Sequence, residues 1–242
     1  MNPSARSGDS VRTAREALLC ALRDSSGRSD AIDRISRTCM ELLPIDGVSI
    51  SLIVNTDRRE TLYASDEVVA DIESLQFSLG EGPCFEAAKS KRPVLVADLR
   101  GTVIRTWPVF ATEIGAHPVG AIFAFPLMSG LDSVGALDLY RRTRGRLSTA
   151  QVAIAMQVAD IVTLAVLRSY PNDPTASWWT ELPVNRARVH QATGMIIAAS
   201  HISEKHALAR LRGYAFAVGR LVDDVADDLV AHRMDPGVLD TH

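Results

Sequence analysis

Cysteine is scarce in this 242-residue chain, with Cys20, Cys39 and Cys84 far apart and odd in number. That excludes a disulfide framework and shows no metal-ligand spacing, and it fits reduced thiols in a reducing compartment. A basic excess is also missing. The formal net charge of −3 excludes a surface coated in cations for nucleic acid, though a small module needs only a local basic face. No stretch approaches the ~18 uninterrupted apolar residues of a membrane span. Residues 1–10 (MNPSARSGDS) have no apolar run and do not read as a signal peptide. The expectation is a cytoplasmic protein without membrane attachment. His117, His190, His201, His206 and His232 show no pairing suited to a metal, so no metal site is expected. There is no P-loop, no G-x-S-x-G and no kinase signature. The chain is therefore expected to be no enzyme and to carry no cofactor.

What is present divides in two. The apolar fraction of 47% is that of a folded protein rather than a disordered one. Ala14, Leu18 and Leu22 fall at helical spacing within residues 11–23, and a second helix is predicted over 30–43, ended by Pro44. VSISLIV (48–54) is β-branched and alternates serine with apolar residues, which predicts a strand. Further strands are predicted at 94–96, 119–127 and 134–140. Helical segments near 68–75, 84–89 and 109–115 lie between them, which makes a mixed α/β domain. Residues 147–168 close it as a helix, with Ser148 as N-cap, Gln151 completing a capping box and Leu147 opposite Val152 as a staple. Two apolar rows run along this helix. Val152, Ala155, Ala159, Val162 and Val166 form a coiled-coil-like seam, and Ile154, Val158, Ile161 and Ala165 lie about 100° away. One row can face the sheet and the other a second subunit, although burial of both within one chain is the competing reading.

Ser169 to Ser177 (SYPNDPTAS) breaks the pattern, because prolines in a polar run disfavour helix. Beyond it every periodic segment is helical. Three helices fit, with Val189, Ala192, Ile196 and Ala199 on the core face of the first and Ala207, Leu208, Leu211, Ala215 and Val218 on that of the second. In the third, Val222, Val225, Ala226 and Leu229 point inward. Such a bundle of about 50 residues sits near the lower limit of independent stability. Outside the core stripe, Lys205, Ala209, Arg212 and Phe216 share one side of the second helix. Arg186, His190, Thr193 and Ile197 form a comparable row on the first. Cations around an exposed aromatic suit phosphates and unstacked bases, while packing of Phe216 on another surface explains the same pattern.

RVHQATGMIIAAS (188–200) followed by ALARLRGYAFAVGRLVDDVADDLVAHRM (207–234) resembles the ANTAR domain of actinobacterial GAF–ANTAR regulators. The Q-A-x-G, A-x-x-R-L-R-x-Y-A-F and D-V-A elements carry the resemblance. Upstream, SDEVVADIESLQFSLGEGPCFEA (65–87), RPVLVADL (92–99), RTWPVF (105–110) and AFPLMSGLDSVGALDLYR (124–141) look like a GAF domain. The resemblance implies an α+β GAF domain, an antiparallel sheet flanked by helices, over residues 11–168, after a disordered tail at 1–10. A linker at 169–181 and an all-α, three-helix ANTAR domain at 182–236 would follow. It implies binding of paired RNA hairpins in leader transcripts, preventing a terminator from forming. The implied RNA-binding set is Arg186, His190, Gln191, Thr193, Lys205, Arg212, Tyr214 and Phe216, with small structural positions at Ala192, Gly194, Ala207 and Ala226. Thr193 departs from the lysine that many ANTAR proteins carry there, which removes one phosphate contact. A homodimer is expected, and the GAF fold admits an unidentified small-molecule ligand without naming it or its pocket residues.

Gly80-Glu81-Gly82-Pro83-Cys84 allows a tight turn with a cysteine at a helix start, where the macrodipole lowers a thiol pKa. Free methionine-R-sulfoxide reductase, an enzyme of the GAF fold, uses cysteines near such a turn. It also needs a resolving thiol, and only Cys20 and Cys39 remain, both in predicted N-terminal helices. A buried structural cysteine is the preferred reading, with redox sensing open. Phe85 follows Cys84 where a bilin-binding GAF domain has histidine, and the asparagine–lysine–phenylalanine–aspartate signature of cyclic-nucleotide binders is not evident. Two other functions fit the helical segment: a protein-interaction module, and a small-molecule-responsive DNA binder.

Overall fold

The computed structural model describes residues 3–53, 59–100, 106–168 and 186–240. Five strands form an antiparallel sheet in the order β2-β1-β5-β4-β3: β1 (Gly47–Ile53), β2 (Arg59–Ala64), β3 (Val94–Val96), β4 (Ala121–Ser129) and β5 (Asp132–Arg141). Side chains alternate across a pleated strand, and the register sorts them into two faces. Val48 and Phe123 both pair with Leu139, while Ser49 and Ala124 both pair with Asp138. The first face is apolar. Against it pack α1 (Pro3–Arg23), α2 (Arg28–Leu42) and α6 (Thr149–Leu167). α1 starts at Pro3, so the stretch expected as a disordered tail, residues 1–10, is helical from its third residue on.

α6 starts at the predicted box, where Ser148 Oγ accepts from the Gln151 N–H and Gln151 Oε1 accepts from the Ser148 N–H. It is long and apolar enough to cross a membrane. Yet Ala155, Val158, Ala159, Ile161 and Val162 are buried in one continuous core with the sheet and the two N-terminal helices. Both apolar rows are thus spent within a single chain, which corrects the expectation that one of them forms a subunit seam.

The second face carries α3 (Glu67–Leu79), α4 (Pro83–Ser90) and α5 (Pro108–Glu113). Asp66 caps α3 by accepting from the Val69 N–H, and Gly80 ends it in the left-handed region at φ 66°. At Gly82 (φ 135°) an added Cβ would lie 2.6 Å from Gln76 Oε1, so only glycine fits this turn. Glu81, between them, reaches across to accept the N–H groups of Val109 and Phe110 at the start of α5, both at 2.9 Å.

The C-terminal region is a bundle of α7 (Ala187–Ser200), α8 (Glu204–Ala217) and α9 (Val222–Val230), closed by a short 3-10 turn, Pro236–Asp240. Its core holds Val189, Ala192, Ile196, Ala207, Leu208, Leu211, Ala215, Val225, Ala226 and Leu229, as the helical spacing predicts. Ala199 and Val218, also expected inside, are exposed, and Thr193 is buried in their place. α7 is therefore turned relative to the predicted face. The expected linker, 169–181, and the first residues of the expected bundle, 182–185, lie outside the described residues. Phe77 of α3, only 1% exposed, completes the bundle's core.

Candidate nucleic-acid interface and the buried charge cluster

The eight candidate RNA contacts fall into two groups. Gln191, Lys205 and Phe216 are exposed, Phe216 at 59%. On α8 the exposed stripe runs Lys205, Ala209, Gly213, Phe216, at helical intervals of four, four and three. A side chain added at Gly213 or at the exposed Gly194 would meet nothing within 4 Å. Tyr214 is half-buried against the bundle core. The small positions Ala192, Ala207 and Ala226 are fully buried helix contacts, where alanine permits close approach.

Of the remaining candidates, Arg186 and Thr193 are buried and His190 and Arg212 half-buried, so the row expected to face outward is partly covered. Arg186 is 5% exposed. Its Nη1 donates to both Asp223 oxygens, at 3.0 and 2.7 Å, and its guanidinium lies 3.8 Å from the Phe77 ring centroid. Burial pulls its pKa down, with Asp223 opposing. Arg212 stacks on the same ring at 4.8 Å. His190 Nε2 is 2.6 Å from Glu60 Oε1 on β2. Thr193 Oγ1 donates to the Val189 carbonyl inside α7, so neither it nor a lysine pointing the same way would stand at a free surface. The physical reason is one docking event. Phe77 fills the bundle core from the first domain, and its π face draws in the cations beside it. Ser78, next in sequence, accepts the Val222 N–H at 3.0 Å. It thus supplies the N-terminus of α9 with a cap that Leu221 cannot give.

Behind this contact the second sheet face carries a buried charge cluster that sequence reasoning missed. Arg59 donates to Glu73 Oε2 at 2.6 Å, Ser51 Oγ at 2.8 Å and Cys84 Sγ at 2.6 Å. Ser49 donates to Glu73 Oε1, and Gln76 Nε2 donates to Asp138 Oδ2. Gln76 Oε1 in turn accepts the Cys84 N–H at 2.9 Å, so Gln76 ties the glycine turn to the sheet. Asp138 Oδ1 has no partner. Burial, with the nearby Glu73 charge, pushes the Asp138 carboxyl well above the usual range. Burial likewise raises the Cys84 thiol well above its ordinary value, Arg59 opposing. A protonated, buried thiol is a poor nucleophile, which favours the structural reading of Cys84. The sequence signal for this cluster was the serine alternation in β1. The charged pair Arg59 and Glu60 gives β2 no strand-like pattern of its own in the sequence.

Comparison with known proteins agrees with this architecture. The GAF domain family matches residues 25–166 and the ANTAR domain family residues 183–230. Among solved structures, the chain is similar to the GAF domain of a phosphoenolpyruvate-protein phosphotransferase from Coxiella burnetii. The TM-score is 0.55 at 13% identity, covering 66% of this chain and 94% of that one. The corresponding domain from Acinetobacter gives 0.51 at 15% identity, covering 70% and 96%. At such identities the likeness is one of fold. No curated protein sequence matches the chain. With its five-stranded antiparallel sheet between helical layers, the chain belongs to the GAF domain family, and an ANTAR domain follows at residues 183–230.

Proposed function

We propose that the chain is a signal-responsive regulator whose ANTAR domain binds hairpins in nascent leader transcripts and promotes transcription antitermination. The GAF domain receives the signal. The observation that carries this reading is the outer stripe of α8. There an aromatic ring stands 59% exposed, eleven residues from Lys205 on the same side, with only Ala209 and Gly213 between. A bare helix flank lets a nucleic-acid backbone approach closely, the lysine meets a phosphate, and the ring stacks on an unpaired base. Gln191, exposed on α7, adds an amide for base edges. A second copy of the chain would let two bundles engage paired hairpins, with the second contact strengthened by high effective concentration.

Binding of the full chain to paired leader hairpins, followed by fluorescence anisotropy across a salt series, tests the reading. Phe216→Ala is expected to weaken binding by about 1–3 kcal/mol. Lys205→Ala is expected to flatten the salt dependence by about one phosphate contact. Gly213→Glu sets a carboxylate on the stripe without touching the core, and should abolish binding while the protein stays folded. If all three bind as the parent does, α8 is not the RNA face.

A further inference from the structure

Between the β2 edge of the sheet and the docked C-terminal domain lies a cleft of about 420 Å³, lined by Thr61, Tyr63, Ala70, Ser74, Arg186 and Asp223 among others. Its volume falls within the ~300–1,000 Å³ of small-molecule sites, and domain interfaces are a favoured place for them. Arg186 is unusual there. A guanidinium carries five N–H groups in a planar fork suited to oxyanions, and buried donors are normally satisfied. In Arg186, Nη1 serves Asp223, Nη2 makes only a 3.5 Å contact with the Glu73 carbonyl, and Nε has no acceptor at all. A buried cation is thus held by a single carboxylate that uses one of its three nitrogens.

We propose that this cleft binds a small organic acid, whose carboxylate or phosphate takes Arg186 over from Asp223. Three observations favour the exchange. Asp223 has a side chain 35% exposed against 5% for Arg186, so the displaced carboxylate moves toward water while the cation stays. Glu73 is already claimed by Arg59 and Ser49, so the incoming anion restores the local charge balance rather than adding to it. Tyr63 and Ala70 supply an apolar wall for the body of the acid, with Thr61 and Ser74 adding hydroxyl groups. The exchange reaches the C-terminal domain directly. Asp223 sits in the first turn of α9, one residue after Val222, whose N–H is tied to Ser78 of the GAF domain. Losing the Arg186–Asp223 pair frees the start of α9 from the start of α7 within the bundle, right beside the Val222–Ser78 bond that seats the bundle on the GAF domain.

The site does not depend on the RNA reading and is tested without RNA. The full chain is titrated with benzoate and with phenyl phosphate, with benzyl alcohol as the uncharged control. The Arg186 Nε–H resonance, assigned through its loss in Arg186→Lys, is followed by NMR. At least one acid should shift it saturably and the alcohol should not, and the preferred acid identifies the head group. Asp223→Asn keeps the shape but removes the competing charge, and should strengthen acid binding severalfold. Arg186→Lys, which keeps the charge without the planar fork, should lose most of it when the same acids are titrated by isothermal calorimetry, which needs no arginine signal. Equal behaviour of acids and alcohol overturns the proposal. So does an affinity unchanged by Asp223→Asn, or full affinity retained by Arg186→Lys.

Discussion

The buried polar residues of the GAF core each depend on a neighbour more than on their own chemistry. Removing a charged group from water costs several kcal/mol unless it is paired. Arg59, 4% exposed, is covered by Glu73, Ser51 and Cys84, whereas Asp138, 2% exposed, has one satisfied oxygen and one orphan. The orphan oxygen and the raised carboxyl pKa describe the same situation, because a proton on Asp138 removes the unpaired charge. The sign of the linkage follows. With the folded value above the unfolded 3.8, the native state binds more protons in that window. Stability is then lost as pH rises from about 3.8 through the folded value. Asp138→Asn cannot ionise and still offers Gln76 an acceptor. Its urea midpoint, measured across this range, should lack the component that falls with rising pH, and at neutral pH it should match or exceed that of the parent. An identical slope in both proteins would mean that Asp138 is already ionised in the fold.

At the scale of one element, α6 shows why a uniformly apolar helix is hard to orient from its pattern. Val158 and Ile161, at 0% and 4% exposure, face the sheet side, whereas Met156 and Leu164 remain 49% exposed on the other flank. Asp160 lies on that flank as well. Burial raises its carboxyl pKa, with Arg15 of α1 opposing. Together with the exposed Leu19, these positions make the better candidate for a subunit contact. Met156→Glu with Leu164→Glu should lower the sedimentation coefficient of a dimer to that of a monomer and leave thermal melting nearly unchanged. Val158→Glu should instead unfold the GAF domain, since it buries an unpaired charge. A parent protein that sediments as a monomer at micromolar concentration, with and without RNA, removes the dimer from the proposal.

For the whole molecule, the decisive contact is the seat of the bundle on α3. A three-helix unit of this size has little core of its own, and Phe77 supplies a fully buried ring, which the half-buried Tyr214 and the exposed Phe216 do not. The same ring lies against the buried Arg186 and the half-buried Arg212, and Glu60 engages His190. Stability of the small domain and exposure of its cations are therefore opposed. Phe77→Ala should cost about 3 kcal/mol or more if the site behaves as a core position. Hydrogen exchange should quicken throughout α7, α8 and α9, while amides of β1, β4 and β5 keep their protection. Unchanged exchange in the bundle would show that docking contributes nothing to its stability.

The sequence alone determined the features set by neighbours along the chain. The serine alternation of β1, the Ser148–Gln151 cap, the Gly80–Gly82 turn and the core stripes of α8 and α9 rest on local geometry, and periodicity reports local geometry directly. Tertiary structure decided the rest. β2 is illegible in the sequence because Arg59 and Glu60 look like a solvated turn until Glu73 and His190, from distant segments, are placed beside them. The outward row of α7 follows from the periodicity of that helix alone, which cannot show that a second surface waits for it. Arg186 meets the Glu73 carbonyl across 113 residues of chain. A cation facing RNA and a cation facing a buried aromatic have the same spacing, and only the fold, by bringing Phe77 to that spot, distinguishes them.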